Sequence, residues 1–115
     1  MAADKKTIGI TRENLGSLQR LVQHGNFGAE LDAAKFAMAH AIKSGVTPGR
    51  TEGADTKWNV GSVDPDGHLR AMLSAFYPEE DEPYRAMEYL MNTGLSEIAG
   101  NSDATPDVYG LMFEA

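Results

Sequence analysis

The stretch AELDAAKFAMAHAIKS, residues 29–44, carries the strongest helix signal in the chain and decides how its neighbours must be arranged. One helical stripe consists of Leu31, Ala34, Met38 and Ile42. Most of the remaining circumference is covered by Ala33, Phe36, Ala37 and Ala41. A helix that is apolar on most sides must be buried on most sides, and its alanines let another helix approach closely. In a chain of 115 residues, we expect a second copy of the protein to supply part of that cover.

Upstream of this helix, the sequence predicts a strand followed by a helix. In KTIGIT, residues 6–11, Ile8 and Ile10 alternate with small and polar residues, which indicates a strand with one apolar face. The next segment, RENLGSLQRLVQHG at residues 12–25, is predicted to be an amphipathic helix. Thr11 is suited to cap its start and Gly25 to end it. The apolar stripe of that helix consists of Leu15, Leu18 and Val22.

Further along, VGSVDPDG at residues 60–67 admits two interpretations, a helix start or a metal-binding loop. The apolar residues that follow it at helical spacing are Leu69, Met72, Leu73 and Phe76. This pattern predicts an amphipathic helix from about residue 65, with Asp64 as N-cap and Pro65 at the first position. A calcium loop of the EF-hand type needs a glutamate at its twelfth position, which falls on Ala75. We therefore favour the helix start.

Another helix is predicted after Pro78 and the acidic run EEDE, residues 79–82, with Pro83 at its first position. Its apolar face consists of Tyr84, Met87, Leu90 and Met91. Gly94 is expected to stop this helix, with at most one more helical turn after it. The carboxylates of the run suit the positive end of a helix dipole better than a cation site.

Together these patterns predict a mainly α protein in one compact domain. The expected division is a strand and two helices in 1–45, a loop and short strand around Trp58 and Val60 in 46–63, an acidic region with two or three helices in 64–100, and a tail in 101–115. The apolar residues of the tail that are available to dock are Val108, Tyr109, Leu111, Met112 and Phe113.

The absence of cysteine excludes disulfides, thiolate metal sites and thiol nucleophiles. It also favours the cytoplasm as the compartment. The polar start at Met1–Lys6 does not resemble a signal peptide, and the sequence has no run of about 18 apolar residues. We therefore expect no membrane span.

Charge is divided unevenly along the chain, whose formal net charge is −7. Residues 1–50 hold seven basic and four acidic residues, a net of +3, and residues 51–115 hold three basic and thirteen acidic residues, a net of −10. This division suggests a mildly basic module and an acidic region that binds a partner. The alternative is that the acidic residues only keep the protein soluble.

Candidate chemistry is sparse in this sequence. His24, His40 and His68 are not spaced as HxxxH or HExxH, and the nucleotide-binding and hydrolase motifs GxGxxG, Walker A and GxSxG are absent. The acidic residues cluster at predicted helix starts and in a polar loop, which are not surroundings that shift a carboxyl pKa strongly. We expect no catalytic residue, no metal site and no cofactor.

The order of strand, helix, short turn and longer helix in KTIGIT, RENLGSLQRLVQHG and AELDAAKFAMAHAIKSG resembles the ribbon–helix–helix family of DNA-binding proteins. The resemblance covers Lys5 to Gly45. It implies that two chains pair their strands into an antiparallel ribbon, which enters the major groove of double-stranded DNA, while the second helices pack across a homodimer. A lone short strand is unstable in water, so dimerisation also has an independent physical reason.

The resemblance implies two sets of site residues. Those expected at DNA are Lys5, Lys6, Thr7, Gly9, Arg12 and Gly28, with Gly28 and Ala29 at the helix start that meets a phosphate. Those expected at the dimer interface are Ile8, Ile10, Leu31, Met38 and Ile42.

Two functions follow from these observations. The first is a homodimeric DNA-binding protein, a transcriptional repressor or DNA-associated accessory factor, whose acidic C-terminal region binds a partner. The second is a non-enzymatic protein-interaction subunit that uses the same fold without DNA. The overall acidity, the small number of basic residues and Gly9, which has no side chain to read a base, favour the second. The resemblance and the uneven division of charge favour the first, which is the function we predict from the sequence, with the second as the alternative.

Overall fold

A computed structural model describes residues 4–101 of the chain, and it is mainly helical, as predicted. In chain order the elements are β1 (Thr7–Thr11), α1 (Arg12–Gly25), α2 (Glu30–Lys43), β2 (Ala54–Asn59), α3 (Val60–Val63), α4 (His68–Phe76) and α5 (Pro83–Asn101). No helix in this part of the chain combines the length and apolarity needed to cross a membrane. The predicted tail beyond Asn101, with its apolar residues, lies outside the described residues.

Helix α2 lies at the centre of a single core and is covered mainly by α5 of the same chain. The alanines Ala33, Ala34, Ala37 and Ala41 are fully buried. The two helices come close together at Gly94 of α5, where a Cβ atom would collide with the backbone carbonyl of Ala37. Helix α5 of the same chain therefore supplies a surface of the kind that the alanines were predicted to receive, and the homodimer stays a prediction.

Gly94 does not stop α5, which continues to Asn101. A glycine inside a helix costs about 1 kcal/mol relative to alanine. Here the missing side chain allows α5 to pack directly on the backbone of α2. Leu95 and Ile98, which follow Gly94, are buried in the core and hold the extra turns in place.

Strand β1 pairs in antiparallel fashion with β2, and its apolar residues Ile8 and Ile10 are fully buried. The second strand begins at Ala54 and ends before Val60, so it lies earlier in the chain than predicted. The register of the pair shifts between Ile8 and Gly9. A Cβ atom on Gly9 would lie 2.8 Å from the carbonyl oxygen of Asp55, so the strands need glycine here to come this close.

Thr11 caps α1 as predicted, since its hydroxyl accepts a hydrogen bond from the Asn14 amide at 3.3 Å. The helix ends at Gly25, and Asn26 follows in the left-handed conformation with φ 57°. Pro83 is the first residue of α5, also as predicted. The α5 amides of Tyr84 and Arg85 donate to the carboxylate of Asp4, which lies about eighty residues earlier in the chain.

Asp64 does stabilise the start of α4, but that helix begins at His68 and not at residue 65. The Asp64 carboxylate accepts hydrogen bonds from the amides of Leu69 at 2.9 Å and Arg70 at 3.0 Å. Between Asp64 and His68 the chain makes a turn, in which Gly67 has φ 77°. Pro65 lies in this turn and therefore outside the helix. Within VGSVDPDG, the first four residues form the short helix α3, which the sequence did not predict, and DPDG leads into α4 with the capping carboxylate one turn further away than predicted.

The environment of Asp64 changes its acidity. Burial acts to raise the pKa of this carboxyl, but the hydrogen bonds from Leu69, Arg70 and the Tyr84 hydroxyl, with the charge of His68, act against burial and the net pKa is lowered. A carboxyl whose pKa is lower in the folded state stabilises the protein above the pKa it has when unfolded. That stabilisation is lost as the pH falls through the lowered folded pKa.

We predict that Asp64→Asn lowers the free energy of unfolding at pH 6, and that the gap to the unchanged protein narrows as the pH falls from about 5 towards 3. Urea unfolding at a series of pH values measures this gap. The matched control is Asp66→Asn, which lies on the exposed side of the same turn and is expected to change stability by about 0.5 kcal/mol or less. A gap that stays constant over this pH range would contradict the assignment.

We also predict opposite effects for alanine at two helical glycines. Gly94→Ala is expected to destabilise the protein by about 1–3 kcal/mol or more, because the added Cβ forces α5 away from α2. Gly16→Ala in α1 meets no atom within 4 Å, and is expected to stabilise by about 0.5–1 kcal/mol. Denaturant unfolding of both variants checks this, and a neutral Gly94→Ala would argue against the close contact.

Candidate functional site

The strand expected to read DNA has both of its backbone edges occupied within the chain. One edge of β1 pairs with β2. On the other edge the Gly9 amide donates to Oε2 of Glu88 at 2.8 Å, and the Thr11 amide donates to Oδ1 of Asn92 at 2.9 Å. The amide group of Asn92 donates in turn to the Gly9 carbonyl at 3.1 Å. Two α5 side chains one turn apart therefore occupy the place of a neighbouring strand.

These contacts belong to a larger polar group, here called the edge cluster, which consists of Lys5, Asn14, Glu88, Asn92 and Ser96. The ammonium group of Lys5 lies 2.8 Å from the Glu88 carboxylate, which is almost completely buried. The Asn14 side chain donates to Asn92 and accepts from the Ser96 hydroxyl. Since these groups satisfy each other, the edge cluster ties β1 and α1 to α5 and has a structural role.

The structure does not bring the residues predicted to contact DNA together as one reading surface. Lys5 is paired with Glu88, and Gly9 is buried with its backbone hydrogen bonds already made. Thr7 lies partly buried beside Thr56 of β2, with 3.5 Å between their hydroxyl oxygens. Lys6 and Arg12 remain exposed at the two ends of β1.

The predicted phosphate position at the start of α2 is also unsuited to an anion. Gly28 and Ala29 are exposed, but the first turn of α2 carries Glu30 and Asp32. These carboxylates already lie at the positive end of the helix dipole. Glu30 in addition pairs with Lys57 of β2 at 2.8 Å. A phosphate in this position would face like charge.

The residues predicted at a dimer interface are mostly buried inside a single chain. Ile8 and Ile10 have no exposed surface, and Met38 is 2% exposed. They are buried without a second copy, because β1 packs against β2, α1 and α5, and α2 packs against α1 and α5. Leu31 and Ile42 pack against the core but keep part of their surface exposed. Of the expected interface, Leu31 and Ile42 are thus the two residues that keep exposed surface which a second copy could contact.

An open apolar groove lies between the end of α2 and the end of α4, and none of its lining residues belongs to the edge cluster. The groove, here called the Phe76 groove, is lined by Ile42, Val46, Thr47, Pro48, Phe76 and Tyr77. It comprises a pocket of about 270 Å³ and an adjoining pocket of about 330 Å³, which share Thr47, Pro48 and Tyr77; the second pocket is also lined by Pro78, Glu79 and Glu80. The Tyr77 hydroxyl donates to the Val46 carbonyl at 3.3 Å, which fixes one wall against the other.

Phe76 is the one large hydrophobic side chain of residues 4–101 that is exposed, with 58% of its surface accessible. The sequence placed it on the apolar face of its helix together with Leu73. Leu73 is buried, but α4 ends at Phe76, and the chain turns there so that the ring lies 6.4 Å from that of Tyr77 at the surface. The signal available in the sequence was an aromatic pair directly before Pro78, where the helix has to end.

The acidic run beside this groove is divided between two roles. Glu82 is buried and pairs with Arg50 at 3.2 Å and Arg85 at 3.0 Å. Glu79 and Glu80 line the groove, and Asp81 is exposed next to them. The run directly precedes α5, as the dipole interpretation expects, but the α5 amides of Tyr84 and Arg85 donate to Asp4. Glu79–Asp81 form an acidic edge of the Phe76 groove.

Within residues 4–101, no three His, Asp or Glu side chains are grouped in a way that could hold a metal ion. Comparisons of the chain with protein-family models, with curated proteins and with solved structures gave no match.

We predict that Glu88→Ala destabilises the protein by about 2–4 kcal/mol, because it leaves the Gly9 amide and the Lys5 ammonium without their acceptor. Glu88→Gln keeps an acceptor oxygen and removes only the charge, so a loss of about 1–2 kcal/mol is expected. Urea unfolding of the two variants at neutral pH measures both. If both variants lose the same free energy of unfolding, Glu88 would stabilise the protein through its ion pair with Lys5 and not through its hydrogen bond to the Gly9 amide.

Proposed function

We propose that this chain is a non-enzymatic protein-interaction subunit that binds a partner protein through the Phe76 groove. The observation that carries the proposal is the contrast between β1, whose edges are occupied within the chain, and Phe76, which is held exposed beside an open apolar groove. Aromatic side chains presented in this way are typical centres of protein–protein interfaces.

The electrostatics of the described residues support the same proposal. Lys5, which was expected at DNA, is paired with Glu88, and Lys57 on the neighbouring strand is paired with Glu30. Binding to DNA gains most of its strength from cations that neutralise phosphates. A protein with a net charge of −7 and internally paired strand cations is better suited to a protein partner.

A DNA-binding homodimer is the second candidate, and it is favoured by Lys6 and Arg12. Both are exposed at the ends of β1, and neither forms an ion pair within residues 4–101. The order β1, α1, α2 is also the one that resembles the ribbon–helix–helix family. On this hypothesis Lys6 and Arg12 contact phosphates, and Leu31 and Ile42 contribute to a contact between two chains.

The two candidates predict different effects for two matched variants. Phe76→Ser is expected to abolish co-purification of a stoichiometric protein partner from the native cell, even after nuclease treatment. The double variant Lys6→Glu/Arg12→Glu is expected to retain that partner, because neither residue lines the groove. Circular dichroism of both variants controls for folding.

Binding of the purified proteins to mixed double-stranded DNA across a salt series completes this test. We expect no binding at moderate salt. DNA binding that falls linearly with log salt and is lost in Lys6→Glu/Arg12→Glu, together with a partner that survives Phe76→Ser, would overturn the proposal in favour of the second candidate.

A further inference from the structure

We infer that the occupant of the Phe76 groove is a basic segment of the partner protein with an apolar anchor. This inference rests on the proposed function and adds the chemistry of the partner. It follows from two properties of this groove. The groove has an apolar floor with an exposed aromatic ring, and carboxylates lie along one side of it.

The apolar floor defines where the anchor lies. Ile42, Val46 and Pro48 come from α2 and the loop after it, and Phe76 and Tyr77 come from the end of α4. The Tyr77 hydroxyl is already bonded to the Val46 carbonyl, so the tyrosine presents mainly its ring to an incoming side chain. A partner residue that covers Phe76 removes apolar surface from water on both sides of the contact.

The carboxylate edge defines the charge of the partner. Glu79 and Asp81 form no ion pair with a cation of residues 4–101, whereas the adjacent Glu82 is paired with both Arg50 and Arg85. The two nearby arginines are thus committed to Glu82, and the carboxylates of Glu79 and Asp81 are left without an ion pair within residues 4–101. Between them, the Glu80 carboxylate accepts a hydrogen bond from the Glu82 amide at 3.1 Å. Lysine or arginine in the bound segment would complement them, which gives specificity and faster association.

Charge argues against the two occupants that this protein itself offers. A symmetric contact between two copies at the groove would bring the Glu79–Asp81 edges of both chains together. Residues 102–115 carry Asp103, Asp107 and Glu114 with no lysine or arginine, so they have the same sign as the edge. A basic segment from another protein meets neither penalty.

The test is selection of phage-displayed random 16-residue peptides on the immobilised full-length chain, after depletion on the Phe76→Ser variant. We expect the enriched peptides to combine net positive charge with aromatic or large aliphatic residues. Their affinity, measured by fluorescence anisotropy of the synthetic peptides, should fall as salt rises. Phe76→Ser should weaken binding about tenfold or more.

A pair of charge reversals provides the matched control. Glu79→Lys at the groove and Glu13→Lys on the exposed side of α1 change the net charge equally. Glu79→Lys is expected to weaken binding about tenfold, and Glu13→Lys by about twofold or less, because only the first acts at short range. Equal effects of the two variants would overturn the assignment of the edge.

The remaining outcomes separate the inference from the function it rests on. Enriched peptides that need Phe76 but are neutral or acidic would overturn the basic partner and leave the proposed function standing. No peptide that depends on Phe76 would overturn both. If the chain self-associates in sedimentation and Phe76→Ser abolishes this, the groove would be assigned to a second copy. If peptides bind only when residues 102–115 are removed, the groove would be assigned to those residues of the same chain.

Discussion

The arrangement of this protein depends on how the two backbone edges of β1 are paired. An open strand edge is a site of aggregation, and buried amide and carbonyl groups are costly when left without partners. Here β2 occupies one edge, and the side chains of Glu88 and Asn92 occupy the other. A buried carboxylate can serve in this role because Lys5 lies beside it.

This pairing also fixes the rotation of α5 about its own axis. Glu88, Asn92 and Ser96 follow each other at four-residue spacing, so they form one polar stripe that faces β1 and α1. With that stripe held, Gly94 and the apolar residues around it must face α2, where only a glycine fits against Ala37. The polar contacts to the strand and the close helix packing thus specify the same orientation, which is the consistency expected of a sequence with one native structure.

Local signals in the sequence predicted most of the helices and strands, whereas contacts between distant segments could not be predicted from the sequence. The hydroxyl of Thr11, the glycine at the end of α1 and Pro83 at the start of α5 act within a few residues, so their patterns could be read directly. From the sequence alone, Gly94 predicts the end of a helix in the same way. The structure shows that the glycine instead allows α5 to pack closely on α2, so the helix continues past it. Glu88 and Asn92 likewise look like ordinary polar positions until β1 lies against them, and Phe76 looks like a core residue until α4 is seen to end there.

The distance along the chain between β1 and its partners has a consequence for synthesis of the protein. The bond from Gly9 to Glu88 spans 79 residues, and the strand pairs directly with residues of β2 about fifty positions later. At ordinary rates of translation, Glu88 is made about 4 to 16 s after Gly9. Residues of β2 are made within that interval and can pair with one edge of β1, but the edge that Glu88 and Asn92 occupy stays open until α5 is made. The nascent chain is therefore most exposed to mispairing at this edge before α5 emerges, because a helix made long after β1 is the one that closes the strand.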